Sequence, residues 1–262
     1  MGEAAPALRR HIPRKRFSQH FLIDRGVIDA IVGAIDPAPN DLIVEVGPGL
    51  GALTRPLLDR LKHLHAVEID RDIVARLARQ YSGERLTLHQ ADALRFDFDT
   101  LGEKVQVVGN LPYNISTPLL FHFATFRRIS KLWLMLQLEV VHRMAATPST
   151  PAYGRLSVAL QHRYRIDVMF SVPAQAFKPV PKVESAVVCM TPRPTGESPQ
   201  TDQMLETILI EAFSKRRKTL RNALKHRLTE QDFRALLLDP ALRPENLGVN
   251  DYLGIARHLA RC

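Results

Sequence analysis

The chain is poor in cysteine. Its 262 residues contain two, Cys189 and Cys262, which excludes a disulfide scaffold and favours a reducing compartment. Those two cysteines are 73 residues apart and match no zinc-ligand spacing. The ten histidines include no H-x-x-x-H or H-E-x-x-H pair, so no metal site is expected. The N-terminus lacks the apolar core of a secretory signal. The longest strongly apolar stretch, around Leu132–Leu138, is far too short to span a bilayer. Neither an internal repeat nor a low-complexity tract is present, apart from short proline-rich pieces. These absences leave a cytoplasmic globular protein, expected to be monomeric, with a core large enough to fold without staples.

Basic charge is in surplus. Lys and Arg number 36 against 27 Asp and Glu, a formal net charge of +9. The surplus sits in two segments. Residues 1–20 hold Arg9, Arg10, Arg14, Lys15 and Arg16 against Glu3. Residues 215–227 hold Lys215, Arg216, Arg217, Lys218, Arg221, Lys225 and Arg227 and no acid. The remaining 229 residues carry 24 basic and 26 acidic groups and are close to neutral. A charge run is usually a solvated face. Two runs flanking a near-neutral body suit arms that grip a phosphate backbone.

From residue 42 the chain alternates short β-branched runs with helical patterns. Strands are expected over Leu42–Val46, His65–Ile69, Leu86–Gln90, Val105–Val108, Leu132–Leu136, Ile166–Val172 and Ser185–Met190. Helices are expected over Ala52–Leu61, Asp72–Gln80, Thr117–Phe126, Glu139–Ala146 and Tyr153–His162. Such alternation implies an α/β fold, a mostly parallel sheet with helices on both faces. Thr191–Asp202 reads as a linker, and a small helical domain is expected at 196–262. Its first helix spans Met204–Leu228, continuous or broken. Phe213, Leu220, Leu224 and Leu228 share one face of it, with Lys218, Arg221 and Lys225 opposite. Residues 1–40 read as a basic arm that belongs with the α/β domain at 41–195.

Three features line up with a nucleotide-type cofactor. The loop Gly47-Pro48-Gly49-Leu50-Gly51 follows the first strand, where glycine lets backbone approach a ligand. A structural turn would explain such a loop alone. Its G-x-G-x-G spacing also departs from the G-x-G-x-x-G of dinucleotide binders. Glu68 ends the second strand, 21 residues after Gly47, where an acid can accept from both ribose hydroxyls. Asp92 follows the third strand, where it can accept from an adenine amine or serve as a helix N-cap. In that order they form an adenosine cradle.

Asn110-Leu111-Pro112-Tyr113 stands at the tip of the fourth strand. A turn closing a strand would account for the tetrapeptide in isolation. In this context the chain resembles the S-adenosylmethionine-dependent methyltransferases that modify adenine N6. More narrowly, it resembles the 16S ribosomal RNA adenine dimethyltransferases. The resemblance is carried by 14–22 (RKRFSQHFL), the glycine loop, 109–116 (GNLPYNIS), Tyr153-Gly154-Arg155, 177–183 (FKPVPKV) and 216–221 (RRKTLR). It implies a Rossmann-like class I methyltransferase that dimethylates two adjacent adenosines near the 3′ end of 16S rRNA in the small ribosomal subunit. Asn110 and Leu111 would accept from the target amine, Pro112 would restrict the loop, and Tyr113 would stack on the extracted base. By resemblance Phe177 is the opposing wall and His20 and Leu22 contact the cofactor. Lys218, Arg221 and Lys225 are the expected RNA contacts. Two positions depart from the family pattern: His20, where Asn is common, and Leu138, where relatives often carry Lys. Two other readings stay open, a 23S rRNA adenine methyltransferase of the erythromycin-resistance type and an assembly factor that acts mainly by binding. A DNA adenine methyltransferase would carry D-P-P-Y.

Overall fold

The computed structural model describes residues 20–194, 196–214 and 217–261. The basic arm through Gln19, the cations Lys215 and Arg216, and Cys262 lie outside the described residues. A seven-stranded sheet is built from β2 (Ile43–Val46), β3 (Leu64–Glu68), β4 (Leu86–Gln90), β5 (Val105–Asn110), β6 (Ile129–Gln137), β7 (Tyr164–Val172) and β9 (Ser185–Pro192). Their spatial order is β4-β3-β2-β5-β6-β9-β7. The first five run parallel, and β9 is antiparallel to both of its neighbours. The remaining strands, β1 (Phe21–Leu22) and β8 (Phe177–Lys178), form a separate antiparallel pair.

Both faces of the sheet are covered, and the sequence shows why. Along β6, Leu132, Leu134 and Leu136 enter one core while Trp133 and Met135 enter the other. In β2, Val44 and Val46 face the first core and Ile43 the second. Period-two alternation of apolar residues on both faces is the pattern of a sheet sandwiched between helices. The flanking helices are α1 (Arg25–Ile35), α2 (Thr54–Leu58), α3 (Arg71–Gln80), α4 (Ser116–Phe123), α5 (Leu138–Met144) and α6 (Arg155–Arg163). Helix α1 falls within 1–40, where the basic residues suggest only an arm. Its local signals are nonetheless present: Asp24 caps the Val27 amide at 3.0 Å, and Ile31, Val32 and Ile35 are buried.

The C-terminal region holds α7 (Pro199–Ser214), α8 (Leu220–Ala223), α9 (Glu230–Ala235) and α10 (Val249–Leu259). The expected helix over Met204–Leu228 is two helices. Thr219 is extended (φ −63°, ψ 160°) and α8 starts afresh after it, so the basic stretch does not lie on one continuous helical face. Leu220, Leu224 and Leu228 are nevertheless buried, with Phe213 packed against the same cluster. That cluster also contains Ala146, Tyr153 and Val158. The Tyr153 hydroxyl donates to the Leu247 carbonyl at 2.9 Å, and Arg163 pairs with Asp202 at 2.9 Å. The helical region therefore completes its core with residues from the sheet-bearing part. The expected linker is short, since β9 runs to Pro192 and α7 begins at Pro199.

Candidate active site

The register of the parallel strands sets the site. Val46 lies beside Val67, Glu68 beside Gln90, and Glu45 beside Val108, so β2 to β5 end together along one edge. A crevice outside the carboxyl ends of such strands is where α/β folds bind ligands. Here that edge encloses a cavity of about 530 Å³. Its walls come from the glycine loop, Glu68, Asp92, the Asn110–Tyr113 loop, and His20 and Leu22.

Gly47, Gly49 and Gly51 have φ of 68°, 54° and 89°, values that a side chain at these positions would strain. The turn is tied down by Gly47 N donating to Val67 O and Gly51 N to Pro48 O, both at 2.9 Å. Gly49 also donates its amide to the Glu68 carboxylate, and the Asp70 amide donates to Glu68 Oε1 at 2.8 Å. Burial raises the Glu68 pKa, and these backbone donors oppose the rise. The Asp92 Oδ1 accepts from the Leu94 amide at 3.0 Å. No helix follows it, so the alternative of a helix N-cap does not apply: Asp92 closes a turn over 92–95, with the Arg95 amide donating to Asp92 O at 2.9 Å, and it lines the cavity.

The Asn110–Tyr113 loop is held from three sides. Leu111 is buried, and its amide donates to Met135 O at 3.2 Å. Asn110 Nδ2 donates to the His20 carbonyl at 3.2 Å. A carbonyl only accepts, so this bond fixes the amide flip and leaves Oδ1 as the acceptor of a cavity-lining residue. The Tyr113 hydroxyl is 2.9 Å from Ser185 Oγ. Burial raises the Tyr113 phenol, against the lowering effect of Ser185. The His20 ring stacks on Tyr113, with centroids 5.5 Å apart.

Two sets of expected substrate contacts lie apart from the cavity. Phe177 is not a cavity wall in this structure: it is 1% exposed, pairs with Leu22 and fills the core between sheet and helices. The basic residues at 218–225 do not line the cavity, and they are not all free to meet phosphate. Lys218 and Lys225 are exposed, whereas Arg221 pairs with Glu230 at 2.8 Å and Arg227 with Glu211 at 2.7 Å. Part of the basic run is thus neutralised internally. Leu138 packs against the core, so it offers nothing to phosphate.

Four further residues shape the site without having been singled out for a role in it. Glu45 is 2% exposed and accepts from Thr54 Oγ1 at 2.6 Å. Its one signal is an acid inside an otherwise apolar strand. Burial pushes its carboxyl up to about 7, with Thr54 lowering it and Glu68 raising it further. Gly109 lies where β5 crosses close to β2, and an added Cβ would stand 2.8 Å from Val46 O. Ser185 has no local signal, because only β9 pairing beside β6 brings it to Tyr113.

A cavity rimmed by carboxylates, with an amide oxygen at its end, suits a ligand rich in donors and bearing positive charge. The adenosyl group of S-adenosylmethionine has ribose hydroxyls and an exocyclic amine, and its other end has an ammonium and a sulfonium. The residues present fit that group. The family model for ribosomal RNA adenine dimethylase matches residues 10–260. The chain belongs to the ribosomal RNA adenine dimethylase family. It is an S-adenosylmethionine-dependent methyltransferase of class I fold. Among relatives, the ribosomal RNA small subunit methyltransferase A of Thiobacillus denitrificans is 57% identical over 95% of this chain and 99% of its own length. The protein of that name from Nitrosomonas eutropha is 55% identical, covering 95% and 98%. A dimethyladenosine transferase from Plasmodium falciparum superposes with a TM-score of 0.77 at 24% identity, over 92% of this chain and 98% of that one. The 23S rRNA methyltransferase ErmE gives 0.71 at 24%, over 91% and 99%. These two structures bear on the fold alone. Among the described residues no helix is long and apolar enough to cross a membrane.

Proposed function

We propose that this enzyme dimethylates the N6 amines of two adjacent adenosines near the 3′ end of 16S rRNA, acting as a cytoplasmic monomer on the small ribosomal subunit. The observation that carries the reading is the Asn110–Tyr113 loop at the tip of β5. Its amide flip is set by His20, and it opens on the same cavity as Glu68. The high identity to proteins named for the small subunit favours this reading over the 23S one.

Bound S-adenosylmethionine supplies a methyl activated by its sulfonium. The chain's part is to bind, orient and exclude water. Adenine N6 is a weak nucleophile because its lone pair is delocalised into the ring. Asn110 Oδ1 and the Leu111 carbonyl would accept from the amine hydrogens, hold the nitrogen in line and favour a pyramidal geometry. No strong base is required, since the proton can leave once the methyl is in place. Tyr113 would stack on the extracted base, and Pro112 contributes no competing N–H. Glu68 would hold the cofactor's ribose hydroxyls, and Asp92 its adenine amine. The three loop glycines, His20 and Leu22 would complete the cradle. The catalytic gain is mainly positioning. Lys218 and Lys225 are the exposed cations suited to RNA phosphates. Arg221, tied to Glu230, would contribute less.

The test is Asn110→Ala. Methyl transfer to unmethylated small subunits should fall by at least about 100-fold, with binding of S-adenosylhomocysteine and of subunits retained within a few-fold. Methylation at the unmodified rate would refute the catalytic role of Asn110.

A further inference from the structure

His20 is tied to two loops at once. Its carbonyl accepts from Asn110 Nδ2 at 3.2 Å. Its ring Nδ1 lies 2.8 Å from the Pro179 carbonyl, which only accepts, so Nδ1 carries the hydrogen. The imidazole plane is 26° from that of Tyr113, a stacked arrangement. Just beyond it, Phe21 pairs with Lys178 and Leu22 with Phe177, which anchors the segment to the proline-rich loop. Phe177 itself is buried at this pairing.

We infer that His20 is a positioning residue for the base. Its ring covers the stacking face of Tyr113 and yields that face when the target adenine enters. The inference rests on reading Tyr113 as the stacking partner of the extracted base. Entry then becomes an exchange of rings: the base gains its stack on Tyr113 only as the imidazole gives up its own. A bicyclic purine outcompetes a five-membered ring, whereas a pyrimidine gains less, so the exchange disfavours smaller bases. Only the ring has to move, and in doing so it gives up its Nδ1 hydrogen bond to Pro179 O as well. The backbone bond to Asn110 can persist, so the acceptor that faces the amine stays oriented throughout.

The ring at position 20 can be varied separately from its carbonyl. Methylation kinetics on unmethylated small subunits would compare the unaltered enzyme with His20→Ala, His20→Asn and His20→Phe, with Tyr113→Ala as the control. An aromatic pair of this kind corresponds to a factor of about 2 to 10. The Ala and Asn variants should lower KM for the subunit by about that factor, and the Phe variant, which keeps a ring, should not. Calorimetric titration with S-adenosylhomocysteine gives an independent readout of folding and of the cofactor site. If the three substitutions raise KM alike, or change only cofactor binding, His20 is not a placeholder for the base. If Tyr113→Ala leaves kcat/KM unchanged, the stacking role of Tyr113 itself is refuted. Loss of activity in Tyr113→Ala with a KM indifferent to the ring at position 20 overturns the placeholder alone.

Discussion

Replacing Glu45 by glutamine should change how stability depends on pH. The carboxyl is buried, and its pKa is raised from 4.5 to about 7. In the unfolded chain it ionises near its ordinary value. Between those limits the folded state binds a proton that the unfolded state has lost, so this group makes stability fall as pH rises from 4.5 to 7. Each pH unit within the window contributes ~1.4 kcal/mol. From about pH 5.5 to pH 8 the loss is therefore on the order of 2 kcal/mol, and Glu45→Gln abolishes it. Urea unfolding at both pH values, with the variant compared with the unaltered protein at each, cancels the intrinsic effect of the amide and of every titrating group not coupled to Glu45. The advantage of the variant should grow by about 2 kcal/mol between the lower and the higher pH. A difference that stays constant would refute the claim that a buried carboxylate is forced to ionise beside the cofactor cavity.

Gly109→Ala places a Cβ 2.8 Å from Val46 O and 3.0 Å from Leu111 Cδ2, so β5 must move away from β2. A destabilisation of about 1–3 kcal/mol in denaturant unfolding is expected, with reduced activity because Asn110 follows directly. Neutralising Lys218 and Lys225 together should weaken RNA binding and flatten its salt dependence, by about one unit of slope for each phosphate no longer neutralised. Arg221→Ala should flatten the slope less, because its guanidinium already pairs with Glu230 at 2.8 Å. A filter-binding series in increasing salt distinguishes the two.

What is legible in the sequence is local. The apolar run before Gly47, the acid ending β3 and the tetrapeptide after β5 are each written in consecutive residues. The α/β alternation places them at strand ends. The strand order is not legible, because apolar alternation records burial and says nothing about which strand lies beside which. Ser185 therefore becomes a partner of Tyr113 only through β9 pairing with β6. The spacing of Leu220, Leu224 and Leu228 correctly marks buried residues, yet it cannot reveal that helix α8 covers only Leu220–Ala223. Phe177 illustrates the same limit: an aromatic in a proline-rich loop suits a ligand wall or a core, and only its pairing with Leu22 puts it in the core. Net charge gives the size of the basic surplus without revealing that Glu211 and Glu230 offset part of it.

The most direct test of the function is methylation of unmethylated small ribosomal subunits by the purified enzyme with S-adenosylmethionine, followed by mapping of the modified nucleotides. The account predicts two adjacent N6,N6-dimethyladenosines near the 3′ end of 16S rRNA and none in 23S rRNA. Modification of 23S rRNA instead, or methyl transfer to any position other than adenine N6, would contradict it.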